Sequence, residues 1–111
     1  MMRVVKWLLV GAGDIATRRV APALVQAANS ELVAVCDINP AKAARLAAQH
    51  GVNAVFTDVA EAIDGTDADA VYVATPQHTH IDLSLQVLRA GRHLLCEKPL
   101  GVNGSECLRL L

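Results

Sequence analysis

Three clusters in this 111-residue chain combine residue types that can do chemistry. The first, Gly11-Ala12-Gly13-Asp14-Ile15-Ala16, is a G-x-G-x-x-A turn directly after an apolar run. Glycine at 11 permits a tight turn, and glycine at 13 lets backbone approach a diphosphate. Alanine at 16 lets the following helix pack closely on the strand before it. The unpaired N–H groups and positive dipole end of that helix attract phosphate. Asp37 follows about 20 residues on, where an acid accepts hydrogen bonds from both hydroxyls of a ribose. Its charge repels a 2′-phosphate and no arginine follows immediately, which favours NAD over NADP. Enzymes of S-adenosylmethionine share the strand, glycine turn, helix and acid, so this cluster alone leaves both ligands open.

The second cluster is Ala74-Thr75-Pro76-Gln77-His78-Thr79-His80, and the third is Cys96-Glu97-Lys98-Pro99. Each closes an apolar run. A lysine beside a bound alcohol lowers the hydroxyl's pKa and polarises the carbonyl that forms as hydride leaves. A neighbouring carboxylate keeps that lysine charged and can bind ribose hydroxyls, while the proline fixes the backbone. The remaining histidines carry less. His50 sits near a helix C-terminus, where it suits the dipole. His93 lies at a strand start, away from the chemistry, and His78 suits a surface role as well as a site role.

These clusters need elements to hold them. Residues 4–10, 31–37, 53–56, 69–75 and 92–97 are short apolar runs bounded by turn residues and read as five strands. Helix punctuation fills the gaps. Asn39 caps a helix with Pro40 at its first position and Gly51 as its exit. Asp58 with Glu61 forms a capping-box variant ending at Gly65, and Thr79 with Asp82 repeats it, ending at Gly91. A last helix starts near Asn103 or Ser105. Pro22 falls inside the first helical segment and is expected to kink or shorten it. Alternating β and α implies a parallel sheet with right-handed crossovers, a doubly wound α/β domain of Rossmann type. Its ligands collect at the carboxyl ends of the strands, where all three clusters lie.

Composition narrows the function classes. The chain is 53% hydrophobic with one Trp, one Tyr and one Phe, so the core must be built from Ala, Val and Leu. A formal charge of −1 with scattered Lys and Arg argues against nucleic acid or an anionic membrane as partner. Cys36, Cys96 and Cys107 are odd in number, lack metal-ligand spacing and fit a reduced, cytoplasmic setting without a bound metal. The basic, apolar start resembles a signal peptide, but Asp14, Arg18 and Arg19 stand where a cleavage region should be neutral.

Taken in order, "GAGDIA", "AVCDINPAKA", "VATPQHTH" and "LLCEKPLG" resemble the Gfo/Idh/MocA family of NAD(P)-dependent oxidoreductases over essentially the whole chain. The resemblance implies that Thr75 and Pro76 border the nicotinamide half of the cofactor and that His80 marks helix entry at the pocket rim. It implies that Glu97 contacts the nicotinamide ribose and that Lys98 is the catalytic-site lysine, touching substrate and cofactor. It also implies a cis bond before Pro99. The cofactor-binding set is then Gly11, Gly13, Asp14, Ile15, Ala16, Asp37, Thr75, Pro76, His80, Glu97 and Lys98.

The parent reaction is hydride transfer between NAD and a sugar, inositol or related polyol. Family members continue into a second α/β domain with most of the substrate pocket and, in many, an acid–base histidine. Residues 1–111 therefore read as one dinucleotide-binding domain, stopping before its last strand and before that second domain. Alone it is expected to bind NAD weakly and to turn over nothing. An uncovered edge at the fifth strand would favour a homo-oligomer. Two rival readings share the cofactor: a relative using NAD transiently in hydrolysis or elimination, and a non-catalytic dinucleotide sensor.

Overall fold

The computed structural model of the chain describes residues 4–96. Five strands, β1 (Val5–Val10), β2 (Ser30–Cys36), β3 (Ala54–Phe56), β4 (Ala70–Val73) and β5 (His93–Cys96), form one parallel sheet in the order β3-β2-β1-β4-β5. Four helices connect them: α1 (Ala21–Gln26), α2 (Pro40–Gln49), α3 (Val59–Asp64) and α4 (His80–Arg89). All five strands and the four helices between them match the sequence reading. The expected helix beyond Asn103 lies outside the described residues.

The two-residue period of β1 explains the layers. Leu9 turns to one side, where it packs with Ala16, Leu24, Val35 and Leu46 under α1 and α2. Leu8 and Val10 turn to the other, meeting Ala62, Ile63, Val71 and Val87 of the α3 and α4 side. Burial on both faces holds for the central strands. It weakens at the edges, where β5 alternates exposed and half-buried residues and Leu95 is 50% exposed.

Pro22 is accommodated by a change of helical pitch. The turn before it, Ala16–Val20, is a π-helix, closed by the Ala21 N–H donating to the Ala16 carbonyl. Proline has no N–H to continue the regular ladder and crowds the carbonyl one turn back, and a widened turn relieves both. The helix then runs on to Gln26.

Asn39 caps α2 as expected, accepting from the Ala41 and Lys42 amides at 3.0 and 3.3 Å. Asp58 caps α3 through the Ala60 amide at 3.2 Å. Thr79 is different. It makes no side-chain cap to α4, because its hydroxyl donates to the Pro76 carbonyl at 2.7 Å instead.

At the amino ends of the strands, polar groups hold loops in place. The Arg92 guanidinium donates to the carbonyls of Ala68, Ile63 and Thr66, and Lys6 Nζ meets Asp67 at 2.7 Å. The Lys6 amide donates to Asp69 Oδ2 at 3.0 Å. Among the described residues no helix is long and apolar enough to cross a membrane.

Candidate functional site

The carboxyl ends of β1 to β4 open into a cleft of about 970 Å³. That is within the size range of small-molecule and cofactor sites. Strand β1 lies between β2 and β4, so the connections leaving it and leaving β4 pass to opposite faces and part at this end. Such a switch point is where doubly wound sheets take ligands.

Gly11 and Gly13 serve different needs. Gly11 has φ +105°, a conformation side chains disfavour, and its N–H continues the ladder to the Cys36 carbonyl at 2.8 Å. A Cβ there would stand 2.7 Å from the Ala74 carbonyl oxygen and 3.1 Å from the Thr75 nitrogen. The exit of β4 thus crosses directly against the glycine turn, a constraint the turn pattern alone does not express. A Cβ on Gly13 would meet nothing within 4 Å. Gly13 lines the cleft and a smaller hollow beside it, so its backbone is accessible to a ligand. Ala16 is fully buried against the sheet, as its small size requires.

Asp37 has work to do before any ligand arrives. Its Oδ2 accepts from the Ala12 amide at 2.7 Å and its Oδ1 from the Asn39 amide at 2.8 Å. The carboxylate therefore ties the glycine turn to the end of β2. Each oxygen keeps a further lone pair, so Asp37 can still accept from ribose hydroxyls. Asp14 is exposed and paired with Arg18 at 3.1 Å, and Ile15 is 47% exposed beside it.

Thr75 and Pro76 line the cleft at the exit of β4, together with His78. His80 is buried beneath them, 2% exposed, with ring Nε2 2.7 Å from the Thr75 carbonyl. Glu97, Lys98 and Pro99 lie outside the described residues. The strand that leads to them ends at Cys96, in register with Val73 at the cleft end of β4.

The cleft also includes residues the sequence reading did not single out. Ile38 is 91% exposed at its mouth, and Lys42 lines both the cleft and a smaller hollow of about 310 Å³ behind the glycine turn. An exposed apolar residue directly after Asp37 is the signal for the first. Lys42 follows from the Asn39 cap, which fixes the start of α2 and therefore which residues of its first turn stand near β2.

Cys36 closes β2 at the cleft floor. Burial, then the charges of Asp37 and Asp58, push its thiol from an ordinary 9.0 to about 11. The folded state therefore holds the proton that an unfolded chain releases first. Stability from this group is complete below pH 9.0 and declines as pH rises towards about 11. Alkylation by iodoacetamide at pH 8, followed by mass spectrometry, should modify the half-buried Cys96 well before Cys36.

Comparison with known proteins decides the relationship. Residues 5–111 match the sequence model of an oxidoreductase family described as having an NAD-binding Rossmann fold. The chain belongs to the Gfo/Idh/MocA oxidoreductase family. It is 37% identical to a dTDP-3,4-didehydro-2,6-dideoxy-alpha-D-glucose 3-reductase of Saccharopolyspora spinosa over 100% of this chain and 33% of the relative. An inositol 2-dehydrogenase of Rhizobium meliloti is also 37% identical, over 96% of this chain and 32% of the relative. Among solved structures, scyllo-inositol dehydrogenase from Lactobacillus casei with bound NAD(H) and scyllo-inositol matches with TM-score 0.90 and 26% identity. That match covers 97% of this chain and 32% of the dehydrogenase. A 3-ketoreductase from Actinomadura kijaniata in complex with TDP-benzene and NADP matches with TM-score 0.89 and 33% identity, over 97% of this chain and 34% of the reductase. The chain thus spans about a third of the length of these relatives.

Proposed function

We propose that residues 1–111 form the cofactor-binding domain of an oxidoreductase that moves hydride between NAD and a sugar, inositol or related polyol. The observation that carries this reading is the open face of Gly13 in a cleft shared with Asp37. The names of relatives acting on inositol and deoxysugars support the substrate class.

NAD supplies the hydride acceptor when bound. The chain's own residues grip and orient it. Amides near Gly13, Asp14 and Ile15 take the diphosphate, while Ile38 offers an apolar rest for the adenine. Asp37 accepts from the adenosine ribose with the lone pairs its amide donors leave, and Thr75 with Pro76 borders the nicotinamide half. Lys98 is the proposed catalytic lysine, stabilising the alcohol oxygen as it loses its proton, and Glu97 holds the second ribose. Residues 1–111 match only about a third of the length of these relatives, and on their own they are proposed to bind NAD weakly and to catalyse nothing. Cytoplasmic location and self-association belong to the same proposal, supported by the buried free thiol of Cys36 and the half-exposed edge strand β5.

Calorimetric titration with NAD, NADP and S-adenosylmethionine tests this reading. NAD should bind at least about tenfold more tightly than NADP, since a 2′-phosphate would face Asp37. S-adenosylmethionine should show no saturable heat. Tighter binding of NADP would reverse the cofactor assignment, and saturable binding of S-adenosylmethionine alone would overturn the oxidoreductase reading.

A further inference from the structure

We infer that His80 is a positioning residue for the turn on the nicotinamide side of the cleft, acting through the Thr75 carbonyl. The inference rests on the dinucleotide reading above and adds to it a buried group that sets the shape of one half of the site.

His80 begins α4 and is 2% exposed, so its ring is in no position to meet a ligand from the open side. Its Nε2 lies 2.7 Å from the Thr75 carbonyl oxygen. A carbonyl oxygen only accepts, so Nε2 must carry the hydrogen, and the tautomer follows from the geometry. A hydroxyl chain runs alongside. Thr79 Oγ1 donates to the Pro76 carbonyl at 2.7 Å, which uses its one hydrogen. The 2.5 Å contact between Thr75 Oγ1 and Thr79 Oγ1 is therefore donated by Thr75. Two successive carbonyls of the turn, at Thr75 and Pro76, are thus held by side chains from the start of α4 and the residue before it.

The other side of the turn is fixed too. Its Ala74 carbonyl and Thr75 nitrogen lie against Gly11, close enough that an added Cβ would collide with both. Thr75 and Pro76 are consequently clamped between the glycine turn and His80. With the His80 hydrogen bond lost, the peptide after Thr75 can rotate, and the Thr75 and Pro76 side chains lose their fixed aim at the cleft. The adenosine half, held by the glycine turn and Asp37, keeps its own support through the Ala12 amide.

The test compares NAD with ADP-ribose, which lacks the nicotinamide, by calorimetry on the chain with His80 intact, His80→Leu and His80→Gln. Leucine removes the donor, whereas the glutamine amide reaches the Nε2 position. The inference expects His80→Leu to weaken NAD by about tenfold while leaving ADP-ribose within about twofold, and His80→Gln to recover most of the loss. Equal losses for both ligands, or no loss for either, would overturn it by reducing His80 to a packing residue. Absence of binding to both ligands with His80 intact would instead remove the dinucleotide reading on which the inference rests. Nitrogen-15 spectra of the histidine rings give a readout that needs neither ligand nor variant. They should show a hydrogen on His80 Nε2 in slow exchange with water, and its absence would contradict the inferred bond.

Discussion

Gly13→Ala is expected to leave the fold intact and to weaken NAD binding by at least about tenfold. The backbone at Gly13 is not in the left-handed region, and an added Cβ meets nothing within 4 Å. Alanine therefore fits the folded chain, and restricting the unfolded one can even stabilise it by about 0.4–1 kcal/mol. The same methyl group projects into space that no other residue fills, at a position that lines the cleft. A diphosphate that must come within hydrogen-bonding distance of the neighbouring amides meets that methyl first and loses their charge-assisted bonds. Thermal unfolding and calorimetry on the same sample separate the two effects. An unchanged or raised midpoint with lost binding is the expected pair, and unchanged binding would show that the diphosphate does not approach this face.

Gly11→Ala should do the reverse and damage the fold itself. Its Cβ would lie 2.7 Å from the Ala74 carbonyl oxygen and 2.8 Å from the Ala74 carbonyl carbon, at φ +105°. Backbone atoms cannot swing aside as a flexible side chain can. The strained conformation and the overpacking each cost about 1–3 kcal/mol, and here they act together. Domains of this size are stable by only about 5–15 kcal/mol, so the loss is a large share of the whole. A fall of about 10 °C or more in the unfolding midpoint is expected. A midpoint within about 2 °C of the unsubstituted chain would mean that β1 and β4 do not cross so closely.

These two glycines show how far the sequence could be read. The G-x-G spacing after an apolar run was enough to place the turn, and the five apolar runs were enough to order strands against helices. What the pattern could not express was the distance between Gly11 and Ala74, because β4 is remote in sequence and only the folded sheet brings it alongside. Asp37 shows the same limit. An acid after β2 was recognisable as a ribose acceptor, but its bond to the Ala12 amide depends on strand register. At Thr79 a local signal was misleading. Its spacing from Asp82 suggested a capping box, yet nearby carbonyl and hydroxyl partners at Pro76 and Thr75 drew the side chain away. Pro22 signals a disturbed helix, though the form of its accommodation, a π turn ending at Val20, is a compromise between sheet packing and ring sterics that no local rule specifies.

The central claim is that the Gly11–Ala16 turn receives the diphosphate of NAD while Asp37 receives the adenosine ribose. Titrating the nitrogen-15-labelled chain with NAD and following its backbone amides tests this most directly. The account predicts saturable shifts centred on Gly13, Asp14 and Ile15, with Ala12 and Asn39 moving as their acceptor Asp37 takes on ribose hydroxyls. Saturation with those five amides unmoved, or no saturation at millimolar NAD, would contradict it.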